Sequence, residues 1–317
     1  MDIKGVYPIM APPFNKDGEI DWEDFCSLIH HLSTTGINGL TMFGIASEFY
    51  KFTDFERVEL AKVFVQELRG TGVQSVLSVT DHSTEIAVKR AMDYEALGAN
   101  ALMLLPPFFL NPSMDAIKEH IRAVVKSVKI PVLVQYAPTE TKMEIAADEL
   151  VEIYDSFPNV VFKIESNPPM ECMKGILEKR PQAVILNGYA GLYMLDVLDE
   201  GGKGVMPGCS FSEIYVEIYR LYQKGLLNEA KQIHKKLLHY ISQWMKDCEY
   251  IIQVEKAILH LRGLIKTDYC RKPSYPLKKE DMDTVHQFLT EFPHLLQKIP
   301  SPKCANSGDD EPGIKIL

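Results

Sequence analysis

The sequence has 317 residues, 46% hydrophobic and 24% charged. That length suits one large α/β barrel or two smaller domains, with no disulfide or metal needed to hold a core. Thirty-four basic against 43 acidic residues leave a net charge of −9, which argues against a nucleic-acid binder with its basic face.

From residue 7 onward, short apolar runs alternate with amphipathic stretches. The runs 7–11, 39–43, 75–79, 101–105, 131–136, 159–164, 183–186 and 203–206 are predicted strands. They are nearly continuously apolar, as strands of a parallel sheet covered by helices should be. Between the first two, Trp22, Phe25, Leu28, Ile29 and Leu32 lie on one helical face across residues 21–35. Thr53-x-x-Glu56 reads as a capping box opening the next helix. Residues 83–97 and 113–128 repeat the helical pattern, and 168–179 do so after a Pro-Pro start. Eight strand–helix units predict right-handed crossovers and a closed (β/α)8 TIM barrel over residues 1–210. A doubly wound open sheet is the alternative, but its Gly-x-Gly-x-x-Gly turn is missing. Beyond 210 the strand signals stop. Helices are predicted at 212–224, 228–245, 250–265 and 280–297, with breaks at Gly225 and Arg271–Pro276. Residues 211–300 thus form a C-terminal helical appendage, and the Pro/Ser/Gly/acidic tail 301–317 is expected to be disordered.

The apolar runs are too short or too interrupted to span a bilayer, and Met1-Asp2-Ile3-Lys4 is not a secretory leader. Cys26, Cys172, Cys209, Cys248, Cys270 and Cys304 form no Cys-x-x-Cys pair. A cytoplasmic protein with reduced thiols is expected, with neither membrane nor nucleic acid as partner. Metal-site spacings, P-loop and nucleophile elbow are all missing.

In such a barrel the chemistry sits at the C-terminal ends of the strands. The sixth strand, Val160-Val161-Phe162-Lys163-Ile164-Glu165, carries a lysine where a charge is costly unless paired or neutral. Alternation puts Val161, Lys163 and Glu165 on one face. If that face is the lumen, an amine and a carboxylate point inward about 6.6 Å apart along the strand. Burial there favours the neutral, nucleophilic amine of Schiff-base chemistry. The alternative is a structural Lys–Glu ion pair. Tyr136 ends the fifth strand on the face of Val132 and Val134 and is read either as an inward proton shuttle or as a core tyrosine. Gly44-Ile45-Ala46-Ser47-Glu48 follows the second strand. Gly44 permits close backbone approach, the following amides suit an anion nest, and Ser47 offers a hydroxyl; an ordinary turn is the alternative. Thr80 and His82 after the third strand, and Asn187-Gly188 after the seventh, are candidate substrate contacts, although His82 is equally a loop histidine.

These residues, in this order, resemble the dihydrodipicolinate synthase / N-acetylneuraminate lyase family of class I (Schiff-base) aldolases. The resemblance covers about residues 3–297 and rests on Gly44–Glu48, Pro106-Pro107-Phe108-Phe109, Tyr136, Lys163 and the helical C-terminal region. It implies that Lys163 forms an imine with pyruvate or another 2-oxo acid, that Tyr136 relays protons, and that the turn 44–48, including Glu48, binds the 2-oxo acid carboxylate. It also implies a homotetramer or homodimer working without cofactor or metal. The chain departs from the family pattern. Ile45 and Ala46 stand where synthases and lyases carry hydroxyls. Phe108 and Phe109 stand where synthases carry tyrosines, and Thr139-Glu140-Thr141 lacks the synthase arginine. Ser47-Glu48-Phe49 and Lys163-Ile164-Glu165 are instead similar to 2-keto-3-deoxy sugar-acid dehydratases. The expectation is a Schiff-base lyase that dehydrates a 2-keto-3-deoxy sugar acid, with Lys163, Tyr136 and Glu165 catalytic. A pyruvate-dependent aldolase or a synthase-like enzyme shares the same enamine and is the alternative; a non-catalytic 2-oxo acid sensor is a remote one.

Overall fold

The computed structural model describes residues 2–296. Its strands are β1 (Gly5–Val6), β2 (Gly39–Met42), β3 (Gln74–Ser78), β4 (Ala101–Leu104), β5 (Val132–Tyr136), β6 (Val160–Ile164), β7 (Ile185–Asn187) and β8 (Gly204–Val205). All pair in parallel, in the order β1-β8-β7-β6-β5-β4-β3-β2. The seam between β1 and β2 is joined by a bridge from Ile9 to Thr41 and by hydrogen bonds from Met10 N to Thr41 O (2.8 Å) and from Thr41 N to Pro8 O (2.9 Å). The result is a (β/α)8 barrel. Its first strand lies before the predicted run 7–11; hydrogen bonds to the β8 side continue from Tyr7 N to Val205 O (2.9 Å) and from Ile9 N to Pro207 O (2.7 Å), while Pro8, on the β2 side, has no N–H to donate.

Between the strands run α1 (Trp22–Ser33), α2 (Asp54–Leu68), α3 (Thr84–Leu97), α4 (Met114–Ser127), the single turn α5 (Pro138–Thr141), α6 (Ala147–Ser156), α7 (Met170–Lys179) and α8 (Met194–Asp199). Side chains alternate between two apolar layers. Val132, Val134, Val160, Phe162 and Ile164 face the helices, while Val76, Met103, Leu133, Val161 and Leu186 fill the lumen.

After β8 come α9 (Ser212–Gln223), α10 (Leu227–Trp244), α11 (Cys248–Leu261) and α12 (Lys279–Glu291). Gly225 separates α9 from α10 at φ +74°, a left-handed conformation that a Cβ disfavours. Pro293 accounts for α12 ending before the predicted boundary, since the residue ahead of a proline resists the helical conformation. Phe211, Tyr240, Trp244 and Phe288 pack ring on ring, with Phe211 and Phe288 centroids 5.0 Å apart, so the start of α9, α10 and α12 share one core. The predicted disorder of the tail 301–317 lies outside the described residues. Among the described residues, no helix is long and apolar enough to cross a membrane.

The segment after α11 is clamped to the start of α2. The Thr53–Glu56 capping box is formed: Thr53 N donates to Glu56 Oε2 (2.9 Å) and Glu56 N to Thr53 Oγ1 (3.2 Å). Arg271 then donates to both carboxylate oxygens of Glu56. The guanidinium holds the Glu56 carboxyl down at about 2. A group depressed on folding stabilises the fold fully above its unfolded value, about 4.3, and loses that contribution as pH falls toward 2. Glu56→Gln is therefore expected to cost on the order of 1–3 kcal/mol at pH 7 and almost nothing near pH 2. Urea unfolding of both proteins at the two pH values checks this; an equal deficit at both would contradict it.

Candidate active site

Lys163 lies on the lumen face of β6, 4% exposed, with Val161 one layer below it. Its Nζ is 3.0 Å from Glu165 Oε1. Glu165 follows the last residue of β6 and its N–H donates to Tyr136 O (2.8 Å), which holds the turn. Its carboxylate has two further donors: Tyr189 N to Oε1 (3.1 Å) and Gln135 Nε2 to Oε2. Two backbone features make room for this grip. A Cβ on Gly188 would lie 2.2 Å from Glu165 Oε1, so only glycine fits there. Tyr189 and Ala190 both adopt left-handed φ, +52° and +49°, a strained bend that turns the Tyr189 N–H toward the carboxylate. The lysine and glutamate are thus both in the lumen and paired.

Tyr136 is not brought to them. The β5–β6 register sets Gln135 opposite Lys163 and Tyr136 opposite Ile164. Tyr136 therefore faces the helices, in the outer layer, and borders a separate cavity with Ser166, Asn167 and Cys172. The lumen position beside the lysine belongs to Gln135, whose amide donates hydrogen bonds but does not exchange protons near neutral pH.

The turn after β2 is a short 3₁₀ segment, Ile45–Ser47. A Cβ on Gly44 would sit 2.8 Å from Ile9 Cγ2, so this glycine lets the turn close over the lumen. Ile45 and Ala46 line the cavity above Lys163. Their amides open the turn, where no carbonyl within it is available to accept from them. Ser47 and Glu48 have other partners. Ser47 Oγ donates to Met10 O (2.7 Å), and the fully buried Glu48 pairs with Lys256 (2.6 Å) and Lys51 (3.2 Å). Both side chains pin the turn to its surroundings, and neither borders the Lys163 cavity.

The remaining candidates are scattered. Thr80 Oγ1 accepts from Leu105 N (3.0 Å), and exposed His82 packs edge-on against Phe108 with centroids 5.0 Å apart. Both line a larger neighbouring cavity of about 570 Å³. Asn187 shares the helix-facing side of Ile164 and has no hydrogen-bond partner for its amide among the described residues. Gly188 serves Glu165.

The cavity over Lys163 is small, about 70 Å³, and is roofed by α11 through Cys248, Ile251, Ile252 and Glu255. Glu140, on α5, borders both this cavity and the larger one. Burial, then the nearby Glu165, push its carboxyl up to about 7. Burial does the same to Glu255, also to about 7. Gln135, Glu140, Tyr189 and Glu255 were not among the candidates from sequence. The one visible signal was the Glu255-Lys256 pair inside the apolar run Ile251–Leu259, where charges persist only if partnered.

A lumen-facing lysine with a fixed carboxylate at the C-terminal mouth of a (β/α)8 barrel is the arrangement of a class I, lysine Schiff-base lyase or aldolase. Comparison with known proteins agrees. Residues 2–292 match the dihydrodipicolinate synthetase family. The 4-hydroxy-tetrahydrodipicolinate synthase of Bacillus subtilis is 25% identical over 294 residues, covering 92% of this chain and 100% of that one. The enzyme of the same name from Methanococcus vannielii is 27% identical over 237 residues, covering 74% and 81%. Among solved structures, dihydrodipicolinate synthase from Aquifex aeolicus superposes with a TM-score of 0.85 at 21% identity, covering 93% and 100%. A prophage protein of the dihydrodipicolinic acid synthase family from E. coli K12, solved with pyruvate, gives 0.84 at 20%, covering 92% and 99%. The chain belongs to the dihydrodipicolinate synthetase family and is an enzyme of that Schiff-base class.

Proposed function

We propose that this enzyme dehydrates a 2-keto-3-deoxy sugar acid through an imine on Lys163. The observation that carries the reading is the Glu165 carboxylate, held by Gln135 and the Tyr189 N–H and 3.0 Å from the lysine amine. The amines and amides place the parts of the substrate. The orphan N–H groups of Ile45 and Ala46 receive its carboxylate, and its carbonyl carbon then lies within reach of Lys163 Nζ. Glu165 accepts the ammonium proton, the amine adds to C2, and Glu165 returns that proton to the carbinolamine hydroxyl, which leaves as water and leaves a protonated imine beside the regenerated carboxylate. That imine withdraws electrons from C3. With Gln135 in place of a phenol beside the lysine, the C3 proton goes to Glu165. Glu165 gives that proton to the C4 hydroxyl, which the enamine expels as water, forming a C3–C4 double bond and regenerating the protonated imine, which water hydrolyses. Five free cysteines among the described residues support a reducing, cytoplasmic setting.

The deciding experiment is a screen of 2-keto-3-deoxy pentonates and hexonates with separate assays for free pyruvate and for the dehydrated oxo acid. Dehydrated product without pyruvate is expected. Pyruvate release instead would replace this reading with aldol cleavage from the same enamine.

The enzyme is also expected to be a poor 4-hydroxy-tetrahydrodipicolinate synthase. Ile45 offers no hydroxyl, Phe109 stands 75% exposed without one, and Gln135 cannot relay a proton. Each missing proton-transfer group is worth ~10²–10⁴-fold. A coupled assay with pyruvate and aspartate semialdehyde, run beside the Bacillus subtilis enzyme, should show turnover lower by at least about 10²-fold. Comparable turnover would contradict this.

A further inference from the structure

Glu140 and Glu255, which both line the cavity over Lys163, each carry one carboxylate oxygen without a hydrogen-bond partner among the described residues. These atoms, Glu140 Oε2 and Glu255 Oε1, are both closed to solvent. Glu255 is 2% exposed. Its other oxygen accepts from Ser210 N (2.8 Å), while Oε1 occupies the space that Gly208 leaves by lacking a Cβ, 2.0 Å from where that atom would be. Glu140 lines both this cavity and the larger neighbouring one.

Buried acceptors without donors are costly, and a bound group that donates hydrogen bonds recovers that cost. We infer that Glu140 and Glu255 form a hydroxyl-reading subsite that admits 2-oxo acids with a neutral, hydroxylated tail and refuses those ending in a second carboxylate.

This deepens the Schiff-base reading of Lys163 and rests on it. A tail carboxylate arriving here meets Glu140 with Glu165 nearby, in a cavity that Glu255 also lines. Lys163, the cation lining this cavity, is committed to the imine. Of the arginines of the larger cavity, Arg90 pairs with Asp81 (2.6 Å) and Asp54 (2.5 Å), while the buried Arg57 donates to Ser78 O (3.2 Å) and Thr80 O (3.5 Å) and has no carboxylate partner among the described residues. Hydroxyl groups, by contrast, meet two waiting acceptors. The raised carboxyls of Glu140 and Glu255 fit the same picture, since a group that is partly protonated near neutrality also donates to a hydroxyl oxygen.

The test is competitive borohydride trapping with three probes: pyruvate, 2-keto-3-deoxygluconate and 2-oxoglutarate. Each rate is divided by the same protein's pyruvate rate, so folding and imine chemistry cancel. The wild type is expected to trap 2-oxoglutarate at least about tenfold more slowly than 2-keto-3-deoxygluconate, since like-charge juxtaposition is strongly unfavourable. Glu140→Gln should narrow that gap by about tenfold, and Glu140→Asp, which keeps the charge, should largely retain it. Equal trapping of the two tailed acids by the wild type, or a gap unchanged in Glu140→Gln, overturns the subsite while a normal pyruvate adduct leaves the Lys163 reading intact. Absence of any pyruvate adduct overturns the Lys163 reading, and the subsite with it.

Discussion

Lys163→Ala is expected to remove both turnover and the borohydride-trappable adduct, because no other amine among the described residues lines the cavity where the 2-oxo acid must sit. The substitution also disturbs a buried pair. Glu165 is 8% exposed, and without Nζ it keeps only the Gln135 and Tyr189 donors. Breaking one side of a buried ion pair typically costs about 3–5 kcal/mol, so the single variant is expected to unfold at lower urea. Lys163→Ala/Glu165→Gln removes the stranded charge and should recover part of that stability without recovering any adduct. Measuring unfolding midpoint and adduct on both variants separates the two losses. An adduct surviving in the folded double variant would show that the imine forms elsewhere.

Glu165→Gln is expected to split binding from chemistry. The glutamine side chain still accepts from Tyr189 N, but it neither takes the lysine proton nor the C3 proton. Adduct formation with pyruvate should persist more slowly, and turnover should fall ~10²–10⁴-fold with little change in KM. Deuterium uptake into the pyruvate methyl group reports the C3 step alone and should fall in parallel with turnover. If Glu165 merely balances the charge of Lys163, adduct formation and stability should drop together, and turnover per adduct should survive.

The barrel was legible because its strands and helices differ in period, and each of eight apolar runs is followed by a helical face. The Lys163–Glu165 relation was legible for a narrower reason: both residues belong to one strand, so their common face follows from alternation alone. Tyr136 failed on the step alternation does not reach. Which face of β5 is the lumen depends on its register with β6, and both faces of a helix-covered parallel strand are apolar, so neither run reveals the phase. A shift of one residue exchanges Tyr136 for Gln135. Ser47 and Glu48 failed because their partners are remote in sequence, Met10 just after the neighbouring β1 and Lys256 on the roofing helix. Asn187 has the phase problem of Tyr136, and Gly188, expected as a substrate contact, instead leaves the room that Glu165 occupies. The role of α11 was hidden because the amphipathic pattern of a helix does not name the surface it covers.

The most direct measurement is to locate the amine that forms the imine. The wild-type enzyme is incubated with pyruvate, reduced with borohydride, digested and mapped by mass spectrometry. A single reduced pyruvyl group on the peptide containing Val160–Glu165, with fragment ions placing it on Lys163, is the expected result. A label on any other lysine, with Lys163 recovered unmodified, would contradict the assignment of this site.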